Sequence, residues 1–253
     1  MDFSILLGLA LGGALIGFTI GLDETMTALL QPMSIIIVLG GTVVSGLLNF
    51  PSSQLKRAVQ SLKVIFSLRQ VSYIEDIEWL SSLANKARKE GLDSILPDLE
   101  PCKDHFLHDG LQLVVDRLST EELEKVLKED ISYIAKRHML SINVFEQLGR
   151  YAPAFGLLGT VIGLIRLLAN LTDPSQVGPG MAIALVTTFY GVFFANLIFY
   201  PIAGRLQACS FEEALQKELF LVGLIALAKN EPAFVIREKM MLFLTGKERE
   251  KSS

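Results

Sequence analysis

Tyr151-Ala152-Pro153-Ala154-Phe155-Gly156-Leu157-Leu158-Gly159-Thr160-Val161-Ile162-Gly163-Leu164-Ile165-Arg166-Leu167-Leu168-Ala169-Asn170-Leu171 is an apolar run with a proline at its start, closely spaced glycines and one threonine. It has about the 20 residues that a helix needs to cross a bilayer. A second run, Met181–Ile202, is as long and carries Thr187, Thr188 and Gly191 before Pro201 closes it. Neither run contains a carboxylate. A helix that only anchors a protein has no need of hydroxyls or small residues, whereas one that packs closely and meets a polar partner needs both. This pair reads as the working part of the chain, and the rest as what holds and couples it.

The surrounding composition agrees. The 253 residues are 51% hydrophobic and 20% charged, with a mean hydropathy of +0.44. That is too apolar for a water-soluble domain and too charged for one wholly in lipid, so several spans and a polar portion are expected. The formal net charge is −4 with no basic tail, which argues against nucleic-acid binding. Cys102 and Cys209 have neither disulfide nor metal spacing and read as thiols in a reducing compartment. Met1-Asp2-Phe3 lacks the basic start of a secretory signal, so the first apolar run reads as a retained span.

That run is Phe3–Leu22, followed after a short turn by Pro32–Phe50. Gly8, Gly12, Gly13, Gly40, Gly41 and Gly46 suit a close helical hairpin. Lys and Arg are absent from residues 1–50 and from 181–202, number 14 in residues 51–150 and eight in 203–253, and include only Arg166 in 151–180. By the positive-inside rule the 51–150 segment, the tail and both termini are cytoplasmic, and the turns at 23–31 and 172–180 face outward. The expected fold is an all-α membrane protein with four transmembrane helices, a large helical cytoplasmic loop and a helical C-terminal tail. The expected divisions are a hairpin at 1–50, a cytoplasmic loop at 51–150, a pore-lining pair at 151–202 and a cytoplasmic tail at 203–253.

Apolar spacing in the loop predicts helices over Gln54–Leu68 and Ile74–Lys89, the second stopped by Gly91. Residues 92–109 are expected to be broken by Pro97 and Pro101. Ser119 and Glu122 form a capping box that starts a helix of about 30 residues, about 45 Å long, running straight into the third span. Such a helix suits a lever between cytoplasm and bilayer. Arg205–Lys229 reads as an amphipathic helix, followed by a short one near Phe234–Leu244 and a charged end at Gly246–Ser253.

No phosphate loop, dinucleotide fingerprint, zinc-protease motif or nucleophile elbow is present, so the chain is not expected to be an enzyme or to hold a cofactor or metal. His105 and His108, with Cys102 and Asp104 nearby, lie between breakers in a charged stretch and lack a second ligand pair. No Asp or Glu occurs from 25 to 74, from 147 to 172 or from 174 to 211. Ion carriers keep a carboxylate at membrane depth. If this chain moves ions, that group comes from a different polypeptide, with Thr160, Thr187 and Thr188 supplying neutral oxygens beside it. Bonding of each threonine to its own helix is the alternative. Arg166, in the outer third of its span, is expected to snorkel to the surface.

The stretch Ala152-Pro153-Ala154-Phe155-Gly156-Leu157-Leu158-Gly159-Thr160-Val161-Ile162-Gly163-Leu164 resembles the third span of the MotA/PomA family, the A-subunits of the bacterial flagellar stator. Asp173-Pro174 with Gly178–Gly191 resembles that family's entry into the fourth span, and Phe199-Tyr200-Pro201-Ile202-Ala203 its exit. With two spans before the loop and two after, the resemblance covers nearly the whole chain. It implies a ring of A-subunits, five in the family picture, around a one-span B-subunit whose helix brings an aspartate into the pore and which anchors to peptidoglycan. It further implies an inner-membrane location, passage of Na⁺ or H⁺, and a loop that pushes on the rotor protein FliG. Pro153 and Pro201 match the family's coupling prolines, Thr160 and Thr188 the ion-facing threonines, and Arg88 with Lys89 the rotor-facing basic positions. The family's acidic loop position falls on Leu96; the nearby acids here are Asp93, Asp98 and Glu100. The hydroxyls favour sodium, a hard cation, as the driving ion. The alternatives are an ExbB/TolQ-like energiser of outer-membrane work, whose relatives have one span before the loop, and a non-conducting membrane scaffold.

Overall fold

A computed structural model describes residues 3–20, 29, 31–66, 73–102, 104–170, 172, 174–244 and 249, and every regular element among them is helical. The turn at 23–31 (Leu29 and Gln31 apart), Asp173 and the charged end (Arg249 apart) lie outside the described residues. In chain order the longer helices are α1 (Phe3–Ile20), α2 (Pro32–Asn49), α3 (Ser52–Phe66), α4 (Tyr73–Glu90), α5 (His105–Val115), α6 (Thr120–Ala169), α7 (Pro174–Phe194), α8 (Tyr200–Ala228) and α9 (Ala233–Met241), with short helical turns at Leu92–Ile95 and Leu96–Leu99 between α4 and α5. The chain is an all-α membrane protein. It divides into two compact units: Met1–Leu68 with His138–Cys209, and Arg69–Arg137 with Ser210–Ser253.

The first unit holds the apolar helices. Among the described residues, α2, α6 and the stretch Val177–Ala228 contain segments long and apolar enough to cross a membrane. The 18 residues of α1 contain no charge. Glycines set the approach of α2 to α6: a β-carbon on Gly41 would strike the Phe155 ring, and one on Gly46 would lie 2.9 Å from Leu148. Below them, α3 lays Ala58 and Ile65 against Ile142 and Phe145 of α6 and Ala203 and Leu206 of α8.

Two π-turns interrupt this unit, Ile36–Gly40 within α2 and Ala195–Phe199 between α7 and α8. Each contributes a fully buried residue, Val38 and Ala195, to a small cluster completed by Ala152. The second π-turn explains one correction. The helix does not end at Pro201; the chain continues directly into α8. A proline lacks the amide hydrogen and crowds the carbonyl four residues back. The wider π-turn immediately before it accommodates both faults without ending the helix. The helix also starts earlier than the apolar run does. Gly178-Pro179-Gly180 lies inside α7, which begins at Pro174, rather than in an outward turn. Pro174 stands at the first position, where amides lack internal partners; Pro179, the sixth residue, lies past that first turn and forgoes an internal hydrogen bond. Pro153 sits inside the 50-residue α6, as a helix running straight from the loop into the third span requires.

The second unit buries large side chains: Ile77 and Leu80 of α4, Leu111 and Val114 of α5, Leu123 and Leu127 of α6, Leu219, Phe220 and Leu224 of α8, and Ile236 and Met240 of α9. Ser119 caps α6, with the Glu122 amide donating to Ser119 Oγ and that hydroxyl donating to Glu122 Oε2 at 2.8 Å. Two expectations change here. Residues 105–115 form a helix whose cap is Asp104, Oδ1 of which accepts the Leu107 amide at 3.1 Å. Its apolar face, Phe106, Leu107, Leu111 and Val114, was hidden by the breakers before it. The end of the expected amphipathic helix is buried on most sides instead of one, with Leu219 and Leu224 at 0% exposure.

Lys217 is also in that core, at 5% exposure. Its ammonium pairs with Asp104 at 2.5 Å and lies over the Phe106 and Phe220 rings. The neighbouring Gln216 donates to Asp76 of α4 at 2.8 Å. Burial raises the Asp76 carboxyl above the ordinary aspartate range, against the lowering effect of that hydrogen bond. Burial also raises the Cys102 thiol, whose Sγ donates to the Asp104 carbonyl.

Candidate functional site at the α6–α7 crossing

The two runs that organise the sequence cross with almost nothing between them. A β-carbon on Gly156 would lie 2.9 Å from the Thr187 carbonyl oxygen and 3.2 Å from the Gly191 Cα. One on Gly191 would meet the Ala152 carbonyl oxygen at 2.9 Å and the Pro153 Cα at 3.1 Å. One on Gly163 would meet the Ala184 nitrogen at 2.6 Å, and one on Gly180 the Leu167 backbone at 3.1 Å. Gly156, Gly159 and Gly163 recur at helical spacing, as do Gly180, Ala184, Thr187 and Gly191 on the other helix. Backbone therefore rests on backbone across several turns of antiparallel helix. Dispersion supplies the attraction, because lipid removes the hydrophobic driving force between helices.

This contact brings Thr160 and Thr188 together. Their Oγ1 atoms are 2.5 Å apart. The Ala184 carbonyl oxygen lies 3.1 Å from the first and 3.3 Å from the second, and the Gly156 carbonyl oxygen lies 3.1 Å from Thr160 Oγ1. Two hydroxyls have two protons. One hydroxyl donates to the other, and the second donates to a carbonyl, which leaves hydroxyl lone pairs unused. Thr188 is exposed and Thr160 half-buried. Around them Leu157, Val161, Met181, Leu185 and Val192 are exposed and apolar. The pair is thus a polar spot in an apolar face. Helical counting from Thr188 finds Ala184 one turn back, so its carbonyl is the third oxygen that the residue types alone did not single out.

Thr187 is separated from this group. It is fully buried, its hydroxyl donates to its own helix at Ile183 and Ala184, and its side chain fills the space above Gly159. The prolines are linked through their neighbours. Pro153 lacks the amide that would bond the Gly149 carbonyl, and the Tyr200 ring, one residue before Pro201, lies against Gly149. The Tyr190 hydroxyl donates to the Leu29 carbonyl at 2.9 Å, tying α7 to the chain before α2. Arg166 is exposed.

In the other unit, Arg88 and Lys89 are exposed in the last turn of α4, ended by Gly91 at φ +92°. Only glycine takes up that backbone conformation without strain. The loop acids are engaged elsewhere: Asp98 pairs with Lys86 at 2.7 Å and Asp93 approaches Arg117 at 3.7 Å. Leu96 is 42% exposed. Among the described residues no three His, Cys, Asp or Glu side chains gather as metal ligands.

Comparison with known proteins gives this geometry a context. Residues 99–219 match the model of the MotA/TolQ/ExbB proton channel family. The chain is 36% identical to the uncharacterized protein YtxD of Bacillus subtilis over 98% of its length and 88% of that protein's. It is 30% identical to motility protein A of the same organism, over 99% and 94%. The flagellar MotAB stator complex from Bacillus subtilis contains a chain that superposes with a TM-score of 0.90 at 30% identity, with 97% of both chains covered. The chain belongs to the MotA/TolQ/ExbB proton channel family and, within it, to the motility protein A group.

Proposed function

We propose that this chain is an ion-conducting stator subunit of a bacterial flagellar motor, coupling ion flow to torque. The observation that carries the reading is the hydroxyl pair Thr160–Thr188 on two apolar runs that contain no carboxylate, Tyr151–Leu171 and Met181–Ile202, set in an exposed apolar face. Neutral oxygens coordinate a hard cation but do not balance its charge. The missing negative charge is the aspartate of a one-span B-subunit of the MotB type, seated against this face; the stator complex with the similar chain supports that partner. A cation taken up there replaces the hydrogen bond between the two hydroxyls and is shared with the partner carboxylate. The ion is sodium on this reading, since a proton needs only the carboxylate.

The chain lies in the inner membrane with four spans and both termini cytoplasmic, and copies of it, five in number, form a ring around the B-subunit helices. Pro153 and Pro201, linked through Gly149 and Tyr200, pass a change at the pore to α6 and α8. Arg88 and Lys89 meet acidic groups of FliG, a role supported by their exposure and by the engagement of Asp93 and Asp98 with other cations.

The test is motility of a deletion strain complemented with the chain and its B-subunit, scanned against sodium concentration. Thr160→Ala and Thr188→Ala are expected to assemble and not rotate. Wild-type rotation in both variants, or rotation that survives sodium removal and collapses with a protonophore, removes sodium and the hydroxyls from the mechanism.

A further inference from the structure

We propose that the outward face of α3 binds the headgroups of anionic phospholipids. The inference rests on the membrane placement of α2 and on nothing about the ion or the rotor. The apolar span α2 ends at Asn49 with Leu47 and Leu48 strongly exposed, as suits contact with lipid tails. Buried Phe50 and Pro51 turn the chain, and α3 begins at Ser52. Its first turn therefore stands at the edge of the hydrocarbon.

One side of α3 is used up: Leu55, Ala58, Leu62 and Ile65 pack into the cluster with Ile142 and Phe145. The opposite side carries Lys56, Val59 and Lys63 at i, i+3 and i+7, with Arg57 beside them, all exposed. Val59, flanked by two lysines, is 64% exposed. An apolar residue between long cations suits a membrane surface, where the stem enters the headgroup layer and the ammonium meets phosphate.

The charge pattern names the occupant. No carboxylate occurs anywhere from 25 to 74, and Lys56, Arg57 and Lys63 have no ion pair among the described residues. The start of α6 shows what a water-facing surface of this chain looks like. There Glu121, Glu122, Glu124, Glu129 and Asp130 alternate with Lys125 and Lys128, and Lys128 pairs with Glu124. A purely cationic face with an exposed apolar residue, adjoining a span, complements an anionic leaflet.

The test uses the full chain in nanodiscs made from equal phosphatidylcholine and phosphatidylglycerol, with retained lipid counted by native mass spectrometry. The wild type is expected to hold phosphatidylglycerol preferentially and to lose the preference at high salt. Each cation contributes about fivefold, so Lys56→Gln, Arg57→Gln and Lys63→Gln together reduce the preference about a hundredfold. Lys63→Gln alone gives about fivefold, and serves if the triple variant does not insert. Lys56→Arg with Lys63→Arg keeps the preference, as does the control Lys125→Gln with Lys128→Gln. An unchanged preference in Lys63→Gln and in the triple variant overturns the proposal and leaves these cations a topological role only. Failure of the wild type to enter nanodiscs at all overturns the membrane placement as well.

Discussion

The crossing of α6 with α7 and the core around Leu111 and Leu224 pack helices in opposite ways. At the crossing the buried positions are Gly156, Ala184, Thr187 and Gly191, and main chain touches main chain. In the other unit the large, fully buried side chains include Ile77, Leu80, Leu111, Leu123, Leu219, Phe220, Leu224, Ile236 and Met240. Water rewards the removal of large apolar side chains. Lipid does not, so close fit and short-range dispersion take over. The difference teaches where each region tolerates change. A side-chain core has rotamers that can yield; a backbone contact has none.

The largest effect expected is therefore from one methyl group. In Gly163→Ala the new β-carbon falls 2.6 Å from the Ala184 nitrogen and 2.8 Å from the Gly180 carbonyl oxygen, both backbone. Forced separation of the helices costs about 3 kcal/mol or more and pulls Thr160 from Thr188. Loss of motility with loss of the assembled complex on size exclusion is the expected result. Gly8→Ala, with open space at its β-carbon, changes neither.

Next comes the buried ion pair. Lys217→Met leaves the Asp104 carboxylate without its cation. Because the Asp104 side chain keeps 26% exposure, the loss is expected at the lower end of the range for broken buried pairs, about 3 kcal/mol. Adding Asp104→Asn recovers most of it, since asparagine still accepts the Leu107 amide and no charge remains. Trp79, the single tryptophan, packs against this core and reports unfolding by fluorescence. A double variant as unstable as Lys217→Met removes charge from the account.

Gly110→Ala sharpens the contrast. Its β-carbon meets the tip of Leu224, a rotatable side chain, rather than backbone. The gain in helix propensity of about 1 kcal/mol offsets the repacking, and a net change within about 1 kcal/mol is expected. Destabilisation as large as that of Gly163→Ala contradicts the distinction between the two regions.

The smallest effect belongs to Asp76. Its carboxyl titrates higher in the folded chain than in the unfolded one, chiefly through burial. The folded state then binds the proton more tightly, so this group favours folding most below the unfolded value of 3.8, and that benefit is lost as pH rises through the raised folded value. Asp76→Asn keeps an acceptor for Gln216 and removes the charge. A small rise in the Trp79 melting midpoint at neutral pH, vanishing in acid, is expected. A fall at neutral pH shows instead that the ionised form is favoured in place.

Much of this molecule was legible in order of residue. Apolar run length indicated the spans, the glycine and threonine spacing marked Gly156, Gly159, Thr160 and Gly191 as a contact face, and Ser119 with Glu122 marked the start of α6. These signals are local: hydropathy, helical period and capping act over a few residues, and no distant partner is needed to read them. Tertiary structure decided what depends on neighbours far along the chain. It divided the threonines, pairing Thr160 with Thr188 while sealing Thr187 over Gly159. It carried the chain past Pro201 by a π-turn, and it supplied the partners on several helices that bury Leu219, Phe220 and Leu224. It buried Lys217 against Asp104, 113 residues away in sequence. A charge is read as exposed until its partner is known, and a hydroxyl's role depends on which helix lies opposite; both are properties of packing, which no single stretch of sequence contains.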